Sequence, residues 1–169
     1  DAADTDAFAE AINDKARLIF VETIGNPRMD VPDIPALGRV AREAGIPLVV
    51  DNTVTTPCLI RPGEHGADIV VHSTSKFING HGTAIGGAII DTGNYDWRNG
   101  AFEDIKELSK RAGGFAFLAH QRNLIYRDLG GCPAPMNSFL MLQGIETLPG
   151  RMDRHCDNAL KLARFLNQH

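Results

Sequence analysis

The 169-residue chain is predicted to fold as an α/β domain around a mostly parallel sheet, with helices gathered in its C-terminal third. Three observations lead there. Four short apolar runs, Arg17–Glu22, Pro47–Asp51, Ala67–Val71 and Ala88–Asp91, are continuous rather than alternating, as strands buried on both faces are. The first two flank a stretch with apolar residues at helical spacing (Ile34, Leu37, Val40, Ala41), which makes a strand–helix–strand unit and so a parallel pair with a right-handed crossover. From Phe115 onward the pattern becomes helix after helix.

Composition narrows the function classes. Hydrophobic residues at 43% and charged residues at 22% describe an ordinary globular chain long enough for one real core. A net charge of -4 with no basic stripe argues against nucleic acid as a partner. No apolar run reaches the length of a membrane span, and no basic stretch with an apolar core opens the chain, so a cytoplasmic location is expected. Cys58, Cys132 and Cys156 are scattered and form no CxxC pair, which excludes a zinc site or disulfide framework as the organising feature and suggests reduced thiols. The first residue is Asp1 and the last, His169, follows an amphipathic pattern, so the chain is expected to be a segment of something longer.

Along the chain, Thr5 or Asp6 is expected to cap a helix reaching Asn13, with Phe8, Ala9 and Ile12 on one face. Gly25-Asn26-Pro27 marks a turn, and Asp33 caps the second helix, which stops at Gly45. Thr55 to Pro62 reads as loop, and 61–66 as one helical turn. Glycines at 80, 82, 86 and 87 require unusual dihedrals or close approach of the backbone to a neighbour. A helix is expected around Glu103 to Lys110, then helices over Phe115–Arg127, Met136–Glu146 and Leu148–Leu166, with a break at Gly130–Pro135. Phe139, Leu140, Leu142 and Ile145 mark the inner side of the second of these. Met152, His155, Ala159, Leu162 and Phe165 mark that of the third.

Ligand chemistry in parallel α/β sheets lies just past the carboxyl ends of strands. Asp51 ends one run, and Ser73, Ser75 and Lys76 follow another. A carboxylate for a pyridine nitrogen, hydroxyls for a phosphate and a lysine for a Schiff base are the parts that a pyridoxal phosphate (PLP) site needs. Such a lysine requires desolvation or neighbouring positive charge to be reactive, and a carboxylate at a buried strand end calls for a cationic partner. Ordinary roles compete: Asp51-Asn52 as a turn, Ser73 or Ser75 as cap of a helix at Phe77, Asn26 as a turn former rather than a contact to the cofactor's ring oxygen. His65, His72 and His81 lack metal-ligand spacing and read as structural. Gly80-x-Gly82 is no dinucleotide fingerprint. Ser73-Thr74-Ser75-Lys76 fits the S-x-x-K pattern of serine acyl-enzymes, but the accompanying S-D-N and K-T-G elements are absent.

Several motifs together carry a family resemblance: Phe20 to Pro27 (Phe-Val-Glu-Thr-Ile-Gly-Asn-Pro), Val50-Asp51-Asn52-Thr53, Gly66 to Lys76, Asn79-Gly80-His81-Gly82, Asp91-Thr92-Gly93 leading to Asp96-Trp97, and Gly144 to Pro149 with Arg151-Met152. They resemble the Cys/Met-metabolism family of PLP enzymes, of the aspartate-aminotransferase fold type, over essentially the whole chain. The resemblance implies a three-layer large domain over 1–130 and helices over 131–169 at the junction towards a C-terminal domain. It makes Lys76 the Schiff-base lysine, with Asp51 on the pyridine nitrogen, Ser73 and Ser75 on the phosphate, Asn26 on the ring oxygen and Thr53 beside the ring. The implied reaction is a transferase γ-replacement in sulfur amino-acid metabolism: O-acetyl-L-homoserine with sulfide or a thiol, giving homocysteine or methionine and acetate. Cystathionine γ-synthase or methionine γ-lyase chemistry uses the same residues and stays open. Ala134-Pro135-Met136-Asn137 stands where the family tends to have Ser-Pro-Phe-Asn, which bears on the choice of leaving group and nucleophile. Family sites are built at a dimer interface within a homotetramer, with no nucleic acid or membrane involved. The arm, phosphate turn and tyrosine contributed by preceding parts, and the C-terminal arginine for the substrate carboxylate, are not found in this chain. Residues 1–169 alone are therefore expected to be a catalytically incomplete α/β fragment.

Overall fold

The computed structural model describes residues 1–169. Four strands, β1 (Ile19–Glu22), β2 (Leu48–Asp51), β3 (Ile69–Ser73) and β4 (Gly87–Asp91), form one sheet in the order β1-β2-β3-β4. The first three are parallel, with Glu22 beside Asp51 and Asp51 beside Val71. β4 returns antiparallel to β3 and pairs Gly87 with Ser73. The sheet is thus mixed, with an antiparallel edge on a parallel core.

Helices cover both faces of the central strands β2 and β3, which is why these two read as unbroken apolar runs, while β1 exposes Phe20 and β4 exposes Ile89 and Ile90. On one side, α1 (Thr5–Ala11) and α2 (Ile34–Glu43) lie over Ile19, Val21, Leu48, Val50 and Val70, with Leu37 and Ala41 fully buried between them. On the other, Val49 and Ile69 meet Trp97, Ile105, Ala116 and Phe117. Trp97 stacks on Phe117 at 4.8 Å and donates its indole N–H to Asp91 at 3.1 Å, so a loop residue closes the second layer. α4 (Glu103–Ala112) and α5 (Ala116–His120) complete that layer.

Several local expectations shift. The first helix is capped by Asp4, whose carboxylate accepts from Ala7 N at 3.1 Å, not by Thr5 or Asp6. That carboxylate sits three residues before the N–H it satisfies. The second helix ends as expected, with Gly45 at φ +69. A short helix, α3 (Thr56–Leu59), occupies the expected loop. β3 runs on to Ser73 because β4 pairs with its last residues. After Lys76 there is no helix at Phe77. Consecutive turns run from Ser73 to Gly80, with Lys76 N bonded to Ser73 O, Asn79 N to Thr74 O and Gly80 N to Lys76 O. Gly80 closes them at φ +75, a backbone conformation that suits glycine.

The helical half begins with α5, continues through a π-helical stretch at Gln121–Tyr126 and ends in α6 (Arg127–Leu129), stopped by Gly130 at φ +70. α7 (Pro135–Glu146) and α8 (Leu148–Leu166) follow. Their inner sides differ from the expected ones. α7 buries Met141 and Gly144, while Phe139, Leu142 and Ile145 stay exposed, because a small residue and a flexible one let the helix come close to the Lys76 turns. α8 buries only Leu148 and Met152, and its second half projects into solvent.

Candidate active site

The site forms where β2 and β3 end side by side. Parallel pairing places Asp51 level with Val71, and the next residues of both strands face each other across the sheet's carboxyl edge. Thr53 bridges the two strands. Its N–H donates to Asp51 Oδ1 at 2.8 Å, and its Oγ1 accepts from Ser73 N at 2.8 Å. Asp51, Thr53 and Ser73 are therefore one hydrogen-bonded unit, and the Asp51 turn found here coexists with a ligand role. The Ser73 hydroxyl has no partner among the protein's hydrogen bonds, and neither has Asp51 Oδ2.

Asp51 has no cationic partner. The expected ion pair is replaced by the Thr53 N–H, and the carboxylate is half-buried rather than enclosed, so a single backbone donor suffices. Glu22 lies beside it in register and accepts from Asn26 N at 3.0 Å, which places Asn26 just past the end of β1 with its side-chain amide exposed.

Ser75 behaves differently from Ser73. Its hydroxyl donates to Gly86 O at 3.2 Å and accepts from Gly86 N at 3.0 Å. It clasps the glycine-rich return of the chain before β4, and a proton already directed at Gly86 is not available to a second acceptor. Gly86 leaves room for its neighbours: a Cβ there would lie 2.9 Å from Thr74 Oγ1 and against the flexible end of Met141. The Lys76 side chain is exposed and its amine makes no hydrogen bond or ion pair. The desolvation or neighbouring positive charge expected of a Schiff-base lysine is not provided by these 169 residues.

His72 points to the opposite face, since successive side chains alternate along a strand. It is 8% exposed and its Nδ1 is buried without a partner. Burial pulls its pKa below the ordinary 6.5, outweighing the Asp51 charge and the Asn52 backbone, which act in the other direction. A lowered folded-state pKa means that unfolding takes up a proton. The stability linked to His72 is present above about pH 6.5 and is lost as the pH falls through the folded value. The urea midpoint of the wild type is accordingly expected to fall more steeply between pH 7 and pH 5 than that of His72→Leu. Parallel slopes in the two proteins would refute the assignment.

The donor set suits a phosphorylated pyridine aldehyde: a carboxylate that only accepts, with one oxygen unclaimed, an unpaired hydroxyl on the adjoining strand, and a free primary amine three residues on. What sequence reasoning missed is the bridging role of Thr53, placed only beside the ring, and the engagement of Ser75 with Gly86. The first follows from the pairing of β2 with β3, visible in the sequence only through the positions at which two apolar runs end.

Comparison with known proteins gives the family. The chain is 46% identical to O-acetyl-L-homoserine sulfhydrylase of Leptospira meyeri and 43% identical to homocysteine synthase of Schizosaccharomyces pombe, matched over 100% and 98% of its length. It spans 42% of each of those relatives. Among solved structures, O-acetylhomoserine sulfhydrylase of Wolinella succinogenes superposes with a TM-score of 0.89 at 39% identity, covering all of this chain and 47% of that one. A Campylobacter jejuni chain assigned as an O-acetylhomoserine (thiol)-lyase, at TM-score 0.89 and 35% identity, carries PLP reduced onto a lysine as N'-pyridoxyl-lysine-5'-monophosphate. The family profile of Cys/Met metabolism PLP-dependent enzymes matches residues 1–169, and the chain belongs to that family.

Proposed function

We propose that this chain provides the lysine-bearing part of a PLP site in an enzyme that replaces the γ-acetoxy group of O-acetyl-L-homoserine with sulfide or a thiol, in methionine biosynthesis. The observation that carries the reading is the Asp51–Thr53–Ser73 unit, which holds a carboxylate and a hydroxyl in fixed relation at the strand ends that lead to Lys76. When bound, the cofactor supplies an electron sink for charge developing at the substrate Cα. Asp51 holds a proton on the pyridine nitrogen, Asn26 donates to the ring oxygen, and Thr53, fixed by its two bonds, packs beside the ring. The Ser73 hydroxyl donates to the phosphate. Ser75 retains an acceptor site only and shapes the phosphate end by holding Gly86. Lys76 would anchor the cofactor and, as a displaced amine, would remove protons from the substrate Cα and then Cβ and return them to the same carbons afterwards, while the Cγ–O bond breaks with its electron pair leaving on acetate and the sulfur nucleophile, giving up its own proton, forms the Cγ–S bond.

Residues 1–130 belong in this reading to the large cofactor-binding domain, and 131–169 to the junction with a further domain. The relatives' greater length supports a site completed by other parts of the protein; completion by a partner subunit in a cytoplasmic homo-oligomer rests on the family resemblance alone. No helix of the structure is long and apolar enough to cross a membrane.

Product analysis on the full-length protein tests the reaction. With O-acetyl-L-homoserine, sulfide is expected to give homocysteine and acetate with a kcat/KM about tenfold or more above that for cysteine as nucleophile. Preferential formation of cystathionine from cysteine, or release of ammonia and a keto acid from methionine, would overturn the assignment in favour of the synthase or the lyase.

A further inference from the structure

Arg151 lies on the first turns of α8, far in sequence from the site, and is half-buried. It makes no ion pair. Its guanidinium donates instead to backbone carbonyls: Phe77 O at 2.7 Å, Gly144 O at 2.7 Å and Ile78 O at 3.4 Å, while Nε donates to Thr147 Oγ1 at 3.0 Å. Phe77 and Ile78 are the two residues directly after Lys76. Their carbonyls accept nothing from within the turns, whose bonds end on Ser73, Thr74 and Lys76. A planar fork with several donors satisfies carbonyls of the Lys76 turns and of the α7 C-terminus together, a task for which an ammonium is poorly shaped.

The surroundings are built for this contact. A Cβ on Gly80 would sit 2.4 Å from the guanidinium, so the glycine that ends the turns also leaves room for Arg151. Ile78 packs on Leu148 and Met152, one helical turn apart around Arg151, and Phe77 meets the His155 ring edge-on at 5.2 Å. The start of α8 thus grips the segment after Lys76 through apolar contacts on both sides of a charged centre.

We infer that Arg151 is a positioning residue for Lys76: by holding the Phe77 and Ile78 carbonyls it fixes the backbone from which the lysine reaches the cofactor. The inference rests on the reading of Lys76 as the cofactor's lysine. It gives a half-buried charge with no acidic partner a reason to be there, since an arginine that served only to join α7 to α8 would need Gly144 and Thr147 alone.

The test uses the full-length, cofactor-loaded protein and the variants Arg151→Lys, Arg151→Met and Thr147→Val, the last removing the hydroxyl that accepts from Nε and donates to Gly144 O at 3.3 Å. Two readouts are followed: amide exchange of peptide 74–82 against peptide 17–24, and the pH midpoint of the visible cofactor band with the fraction fixed by borohydride. Exchange in 74–82 is expected to rise about tenfold or more in both Arg151 variants while 17–24 is unchanged. The band midpoint is expected to move by about half a pH unit or more, Lys rescuing little and Thr147→Val moving both readouts less in the same direction. An unchanged midpoint with exchange raised only over 135–166 would overturn the inference and leave Arg151 a helix joint. Where Arg151→Met does not fold, Arg151→Lys and Thr147→Val decide in the same terms. A wild type with no borohydride-fixable band would remove the Lys76 reading itself, and the inference with it, an outcome distinct from a wild-type band whose midpoint the variants leave in place.

Discussion

Lys76→Ala is expected to abolish covalent retention of PLP and to lower turnover of the full-length enzyme by about 10⁴-fold or more, with little change in stability. The chemical half of that expectation follows from the two tasks placed on one amine, covalent anchoring and proton transfer, the second alone being worth about 10²–10⁴-fold. The structural half follows from exposure: the Lys76 amine makes no hydrogen bond or ion pair, so truncating the side chain leaves no buried group unsatisfied. Absorbance of the PLP-loaded protein before and after borohydride, with urea unfolding alongside, separates the two. A variant that still fixes PLP on borohydride treatment would move the Schiff base to another residue. A variant that unfolds early would show that the lysine has structural contacts absent from this chain.

Gly144→Ala is expected to lower stability, against the sign that helix propensity gives. Alanine inside a helix is favoured over glycine by roughly 0.5–1 kcal/mol. At Gly144, however, a Cβ would meet Asn79 O at 2.2 Å and Ile78 O at 2.7 Å, both backbone atoms that cannot rotate aside. Overpacking of this kind costs about 1–3 kcal/mol and occasionally more, so after the propensity gain the net effect is a loss of about 1 kcal/mol, accompanied by displacement of α7 from the Lys76 turns. Thermal unfolding checks the sign directly. A stabilised Gly144→Ala protein would mean that α7 stands farther from residues 78 and 79 than the contact described here.

The strand-end positions of the candidate residues were the most legible part of the sequence, and their hydrogen-bond partners the least. Asp51, Ser73 and Lys76 announce themselves because polar groups that end β-branched runs are placed by the sheet itself. The order of the elements was readable for the same reason, since β1, α2 and β2 differ sharply in apolar period. Thr53 and Ser75 were harder. Each acts through a backbone group 20 or 11 residues away, and the choice between bonding a ligand and bonding that backbone depends on a register the sequence does not display. α7 misled for a different reason: with apolar residues on every side, it has no preferred inner face until the Lys76 turns arrive and select the one that fits a glycine.

β4 has a consequence of another kind. It closes the sheet on one side of β3 and leaves its own outer rim of N–H and C=O groups with no strand beside them. The strand, Gly87-Ala88-Ile89-Ile90-Asp91, has neither proline nor lysine to discourage pairing, and Ile89 and Ile90 are each 41% exposed. Such a rim is a template for another strand. Within a longer polypeptide it offers a place for the sheet to grow. For residues 1–169 on their own it is an adhesive edge, through which copies would join side by side into aggregates.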